Sequence, residues 1–363
     1  MVWQLSLCLC EAGIDCEIYS LQRVGGWLEV ECERAGLIVH YSPIKSAYSL
    51  RQIVALRKHT SKRDYDIVHV HLFPAQLWVA MAASLGSWKS ALVTTEHSTE
   101  NRRRNPLFRP IDQWMYGRYD SVATVSQATS SALQRWAPSA AGRVATIHNG
   151  VRLSEISRTE ACDLKSQLGI QNQFLAISVG RCQAIKNHHC LIRALSRLKD
   201  VHLAIIGDGV LLPQLRGLAE SLNVSRRIHF LGLRRDVISL IKGADIYVQA
   251  SRWEGFGLAA VEAMAVGLPL VISNVPGLRD VVGEAGLTFE PDDDEQLAVC
   301  IEKLRSAPDL RSALAAASRK RALDFDLSKT TRDYADVYGS LQARVGQRLS
   351  RPSPIPNKTP TSN

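Results

Sequence analysis

The chain has 363 residues, of which 46% are hydrophobic and 22% charged. That is ordinary globular usage at a length that suits two domains, and it excludes a mainly disordered, collagenous or coiled-coil chain. The net charge of +9 is uneven, with +4 in residues 1–155, zero in 156–318 and +5 in 319–363. With no recognition helix and no aromatic-basic interleave, nucleic acid is not the expected partner.

The eight cysteines form no C-x-x-C pair, which argues against a zinc module or disulfide scaffold and for a reducing compartment. The best apolar run, Leu72–Trp88, contains Gln76 and falls short of the ~20 residues a spanning helix needs. The opening MVWQLSLCLCEAG lacks the basic n-region and cleavage site of a signal peptide. The expected location is the cytoplasm, with the inner face of the membrane as a peripheral station.

In chain order, apolar strands alternate with amphipathic helices, the pattern of an α/β protein with parallel sheets. Strands are predicted at Cys16–Ser20, Ile67–Val70, Leu92–Thr95, Ser121–Val125 and Val144–Ile147, with helices at Val2–Glu11, Tyr48–His59, Ala75–Leu85 and Ala128–Trp136. A second series has strands at Phe174–Val179, His202–Ile206, Arg227–Phe230, Ile246–Gln249, Leu270–Ser273 and Leu287–Phe289. Helices at Asn187–Leu198, Leu211–Leu222, Val237–Ala244, Leu258–Val266 and Asp294–Ser306 separate them. The expected division is a first domain over 1–151, a linker over 152–173, a second domain over 174–326, a helix over 327–349 and a disordered tail over 350–363. Two doubly wound domains place their crevices face to face, and ligands bind beyond the carboxyl ends of the strands.

The residues just after strands carry the chemistry. In SRWEGFGLAAVEAMA, Ser251–Ala265, Gly255 and Gly257 precede a helix whose free N–H groups make an anion site. Glu254 stands before the loop and Glu262 two turns into the helix. Carboxylates beside an anion site suit hydroxyls, and their paired oxygens fit a vicinal diol such as that of ribose. In VGRCQAIKN, Val179–Asn187, Arg181 follows a strand and Lys186 opens a helix pattern, a pair able to neutralise a diphosphate. His97 lies just past a strand in TTEHSTENRRR. Gly207-Asp208-Gly209 lacks the third glycine of a dinucleotide fingerprint, which disfavours a nicotinamide dehydrogenase. His69 and His71 share one face of a strand and read as core and rim rather than metal ligands. Asp292–Asp294 reads as an acidic helix start rather than a metal site. No metal and no cofactor is expected.

The E-x7-E arrangement of Glu254 and Glu262, with Gly255, Phe256 and Gly257 between them, resembles that of the family-four retaining glycosyltransferases. The resemblance covers roughly residues 1–340 and implies the GT-B fold, two Rossmann-like domains facing a central cleft. It implies that Glu254 hydrogen-bonds the transferred sugar, and that the backbone of Gly255, Phe256, Gly257 and Leu258 cradles the distal phosphate and sugar. It implies that Glu262 holds the ribose diol, Arg181 and Lys186 the diphosphate, and that His97 faces the donor sugar from the first domain. Leu231-Gly232-Leu233 would offer backbone groups to the base, with Leu233 nearest it. His148-Asn149-Gly150 resembles the family's N-G-[VI] stretch and puts Asn149 and Gly150 at the cleft, although a plain turn explains Asn-Gly equally well.

Two departures accompany the resemblance. Relatives open with a strand and a Gly-rich loop before the helix that here is Val2–Glu11, so the first domain is expected without them, through a misplaced start or in an impaired protein. Asp280 follows Pro276-Gly277 where relatives often carry Glu. The implied activity is transfer of a hexose-type sugar from a nucleotide-diphosphate sugar, UDP favoured over GDP, to a glycan or lipid-linked acceptor, with an anionic membrane as docking surface. A sugar-nucleotide epimerase and a non-catalytic nucleotide-sugar-binding protein are the alternatives.

Overall fold

The structure, a computed structural model, describes residues 2–23, 25–100 and 104–349. The predicted tail at 350–363, and Arg102 and Arg103, lie outside the described residues. The first half runs α1 (Val2–Glu11), β1 (Glu17–Ser20), α2 (Trp27–Arg34), β2 (Ile38–Tyr41), α3 (Arg51–Thr60), β3 (Ile67–His71), α4 (Ala75–Ser84), β4 (Ala91–Glu96), α5 (Arg109–Gly117), β5 (Ser121–Thr124), α6 (Gln127–Trp136) and β6 (Val144–Thr146). Strands β3, β4, β5 and β6 form one sheet in that order, and β1 pairs with β2 in a separate ribbon. All of these pairings are parallel.

The second half runs α7 (Leu153–Arg158), α8 (Leu164–Gln167), β7 (Phe174–Val179), α9 (His188–Ser196), β8 (Val201–Ile206), α10 (Leu212–Ser221), β9 (Ile228–Gly232), α11 (Val237–Lys242), β10 (Ile246–Gln249), α12 (Leu258–Val266), β11 (Leu270–Ser273), α13 (Pro276–Val282), β12 (Gly286–Phe289), α14 (Asp294–Ser306), α15 (Pro308–Ala322) and α16 (Leu327–Leu349). Its sheet has the order β12-β11-β10-β7-β8-β9. The chain winds outward from β7 on one side and from β10 on the other, so the crevice opens beyond the ends of those two strands. Strand β7 leads into Arg181 and β10 into Glu254, which explains why the two motifs meet.

These strands form because short β-branched runs are packed against crossover helices, Leu-Val-Ile of β11 fully buried and Ile-Val-His-Val of β3 half-buried. Ile177, Ala204, Tyr247 and Ile272 face one core of the second domain with Ala260 and Met264 of α12. Ala176, Ile205, Val248 and Val271 face the other with Leu191 and Leu195 of α9. Helix α16 crosses back to the first domain, where Tyr334, Tyr338 and Leu341 pack against Leu5, Leu9, Val93 and Ala123.

Several expectations need correction. The stretch 152–173 is not a bare linker, since it contains α7 and α8, and Ile156 and Leu164 are buried in the core of the second domain. Helices α2, α5, α13 and α15 and strand β2 were not foreseen. Helix α13 begins at Pro276, which suits a first helical position because its missing N–H is not needed there. Lys186 does not open a helix: it ends a 3-10 turn, Ala184–Lys186, and α9 starts at His188 after Asn187 in the left-handed conformation.

Candidate functional site

The loop between β10 and α12 sits between the two domains. Its Glu254 carboxylate accepts hydrogen bonds at Oε1 from Gln249 Nε2 (2.7 Å) and Ser251 Oγ (3.2 Å), and it is ion-paired with Lys186. The Lys186 stem runs over Gly180, with Cδ 3.3 Å from where a Cβ would stand. This packing aims the ammonium into the crevice, and the absence of a side chain at 180 makes room for it. The neighbouring Arg181 is exposed and, among the described residues, has no ion-pair partner. The site therefore holds one cation already committed to Glu254 and one available to an anion.

The loop itself is clamped from the first domain. Ser126 Oγ donates to the Gly255 carbonyl at 2.6 Å and Thr129 Oγ1 at 3.3 Å, and Thr99 Oγ1 donates to the Glu254 carbonyl at 3.4 Å. The His97 carbonyl oxygen lies where a Cβ of residue 255 would be, so glycine is required there by close approach. At Gly257 the requirement is conformational, with φ +89°. Phe256 points the other way, into an aromatic cluster with His148 and Phe325 (ring centroids 5.9 and 5.4 Å away). Only its backbone can serve a ligand. The N–H groups of Gly257, Leu258 and Ala259 have no partner among the described residues, whereas that of Ala260 bonds the Gly257 carbonyl. Free donors at the positive end of a helix dipole make a site for phosphate.

Glu262 lies one side of this helix end. Desolvation pushes its carboxyl up to about 7, because burial disfavours the charged form. Among the described residues it has no hydrogen-bond partner. His97 goes the opposite way: desolvation holds its imidazole down at about 4, so the ring is neutral at neutral pH. The turn that presents it is fixed by Glu96, whose carboxylate accepts from the Ser98 N–H (3.2 Å) and from the buried Tyr116 hydroxyl.

The predicted residues do not all converge. Glu254, Lys186, Gly255 and His97 meet directly. Leu233 is 78% exposed, beyond the end of β9, where the Gly207 N–H donates to the Gly232 carbonyl at 2.8 Å. Gly150 is packed under the start of α16, a Cβ there meeting Thr330 Oγ1 at 2.6 Å and Leu327 at 2.7 Å, so close packing alone requires glycine there. Asn149 is buried, and its Oδ1 has no partner among the described residues.

Sequence reasoning missed Gln249, a buried amide closing an apolar strand, and Asp292. Asp292 Oδ1 accepts from Asn187 Nδ2 (2.9 Å) and from Arg252 Nε (3.0 Å), which braces the Lys186 turn against the Glu254 loop. The acidic run thus does more than start a helix: Asp293 caps α14 through the Gln296 N–H, while Asp292 works across the crevice. Away from the site, Glu17, His40 and His59 could hold a metal ion. Glu17 is already taken by Arg63, His40 and Tyr65, and Tyr65 also meets His59, so the cluster is closed as a polar core.

Two family models match the chain, Glycosyltransferase Family 4 over residues 1–155 and Glycosyl transferases group 1 over residues 163–321. The chain is 29% identical over 323 residues to the glycogen synthase of Mycobacterium tuberculosis, covering 84% of this chain and 75% of that one. It is 26% identical over 266 residues to the N-acetylgalactosamine-N,N'-diacetylbacillosaminyl-diphospho-undecaprenol 4-alpha-N-acetylgalactosaminyltransferase of Campylobacter jejuni, covering 70% and 72%. Among solved structures, HepE of Anabaena in complex with UDP and glucose superposes with a TM-score of 0.80 at 21% identity, covering 93% of this chain and 95% of that one. With both halves matched and the fold shared, this chain belongs to the family-four glycosyltransferases of the GT-B fold.

Proposed function

We propose that the protein is a retaining enzyme. It moves a hexose-type sugar from a nucleotide-diphosphate sugar, UDP favoured over GDP, to a glycan or lipid-linked acceptor in bacterial surface polysaccharide or glycoconjugate biosynthesis. In this reading 174–326 binds the donor, 1–151 the acceptor, and 327–349 ties the two together. The observation that carries it is the phosphate-ready end of α12, flanked by a paired carboxylate at Glu254 and a desolvated one at Glu262. HepE with UDP and glucose and the Campylobacter enzyme with its diphospho-undecaprenol acceptor support the donor and acceptor classes.

The chain's own residues supply each role. The diphosphate sits on the α12 N–H groups with Arg181 and Lys186, which stabilise the leaving charge as the glycosidic bond breaks. Lys186 must leave Glu254 to do so, and the released carboxylate then accepts from a hydroxyl of the sugar. Glu262 takes the ribose diol, Gly232 and Leu233 border the base, and His97 faces the sugar from the other domain. The acceptor hydroxyl attacks from the face the diphosphate leaves and gives its proton to a phosphate oxygen, while the clamped cleft keeps water from the donor. A double displacement through an enzyme nucleophile would give the same stereochemistry.

Lys186→Ala and Arg181→Ala are expected to weaken UDP binding more than UMP binding, by about tenfold each for loss of a charge-assisted contact. Calorimetric titration checks this, and equal losses for both nucleotides would place the cations elsewhere. Glu254→Gln is expected to lower turnover while leaving UDP affinity within about threefold, because its partner is the sugar.

No helix among the described residues is long and apolar enough to cross a membrane, and the proposed membrane contact is peripheral. Helix α5 and the turn before it divide cleanly: Asp112, Met115 and Tyr116 are buried, while Leu107, Phe108, Ile111 and Trp114 are 83%, 47%, 47% and 43% exposed. Arg109 and Arg118 flank this apolar stripe. An apolar face rimmed by cations lies in the plane of an anionic bilayer interface. Sedimentation with anionic vesicles is expected to carry the protein down at low salt, less so as salt rises. Ile111→Ser with Trp114→Ser should return it to the supernatant, and a wild-type protein that never sediments would favour a soluble acceptor.

A further inference from the structure

Strands β3 and β4 run parallel with His71 opposite Thr95. Residues two apart on a strand share a face, so His69 and His71 line the same side. His69 is held at both nitrogens, by Tyr338 OH (2.6 Å) and Thr95 Oγ1 (2.7 Å), and Thr95 in turn meets Tyr334 OH at 2.9 Å. Both tyrosines come from α16. The His71 ring lies against His69, centroids 4.1 Å apart, and its Nδ1 is 3.1 Å from His97 Nε2. A row of tilted imidazoles therefore leads from the crossing helix to His97, whose carbonyl abuts Gly255.

A neutral imidazole has one N–H and one bare nitrogen, and the contact it makes decides which is which. Among the described residues His71 Nε2 has no partner. His71 Nε2 is not a buried atom, so water can complete it in either tautomer, and what the geometry sets is the pairing of His71 Nδ1 with His97 Nε2. Desolvation lowers both His71 and His97 below the usual imidazole range, which agrees with two neutral rings. We propose that His71 is a positioning residue for His97: its Nδ1–H fixes the His97 ring through Nε2 and leaves Nδ1–H as the single donor His97 offers to the cleft. This rests on the transferase reading, in which His97 faces the sugar.

Two measurements on the full chain test it. Long-range proton–nitrogen correlation of the imidazoles in the wild-type protein should show His71 and His97 both as Nδ1–H tautomers. Finding His97 as the Nε2–H form overturns the proposal, and this readout needs no activity. In transfer assays His71→Leu should lower kcat by about tenfold to a hundredfold with donor affinity unchanged. His71→Asn, whose side-chain N–H stands where Nδ1–H stood, should restore kcat to within about threefold of wild type. Unchanged kcat in His71→Leu, or equal loss in both variants with the fold intact, also overturns it. A wild-type protein that transfers no sugar would instead sink the transferase reading, and the tautomers would still judge the contact.

Discussion

Replacing Gly255 with alanine is expected to abolish most of the activity, by a hundredfold or more, and to lower the melting temperature. The new Cβ falls on the His97 carbonyl oxygen. Neither atom is on a flexible side-chain end, so the backbone of one domain must retreat from the other. Such overpacking costs about 1–3 kcal/mol of stability. The larger effect is on chemistry, since a shift of about 1 Å between reacting groups lowers rates by about a hundredfold. The same retreat would break the Ser126 and Thr129 hydrogen bonds to the Gly255 carbonyl. Gly217 is the control: it lies in α10 with nothing within 4 Å of an added Cβ, and Gly217→Ala should be neutral or stabilising by about 0.5–1 kcal/mol. If Gly255→Ala is as active as Gly217→Ala, the clamp between the domains is not required for catalysis.

Glu262→Gln is expected to act in opposite directions on stability and on donor binding. The Glu262 carboxyl titrates at about 7 in the folded protein against 4.5 for the free group. In that window the folded state binds more protons than the unfolded one, so stability falls as pH rises and the loss is complete above about pH 7. Glutamine removes the loss. The variant should match wild type at pH 4 and exceed it at pH 8, by at most about 3 kcal/mol. Donor binding favours the ionised carboxylate, which accepts from both ribose hydroxyls. Wild-type affinity for UDP should therefore rise as pH increases from 6 to 8, and Glu262→Gln should bind about tenfold to a hundredfold more weakly with little pH dependence. Thermal melts and calorimetry at both pH values check this. A UDP affinity unaltered by the substitution would remove Glu262 from the ribose site.

Much of this was legible in the sequence for a physical reason. Arg181 and Glu254 each follow a strand, and alternation of strands with helices fixes where such residues go in a doubly wound sheet. The α12 loop announces itself through two glycines, one needed for close approach and one for its backbone angle. What stayed hidden depends on partners distant in sequence. Asn187 and Asp292 are 105 positions apart, and nothing local marks Asp292 as a brace rather than a helix start. His69 and His71 looked like core and rim because the tyrosines that fix the first come from α16. The packing need for Gly150 was hidden because the helix that lies on it begins at Leu327. Helix α5 escaped notice because its exposed face is apolar, which masks the usual contrast between inside and outside.

In the proposed reaction a nucleotide-diphosphate sugar bound at the α12 end is cleaved with retention. Real-time proton NMR of UDP-glucose incubated with the protein, alone and with a saccharide acceptor, tests it most directly. Release of UDP is expected, with the first-formed sugar or glycoside in the α configuration of the donor, and loss of that release in Glu254→Gln. A first-formed β product, or a donor that binds and is never cleaved with any acceptor, would contradict it.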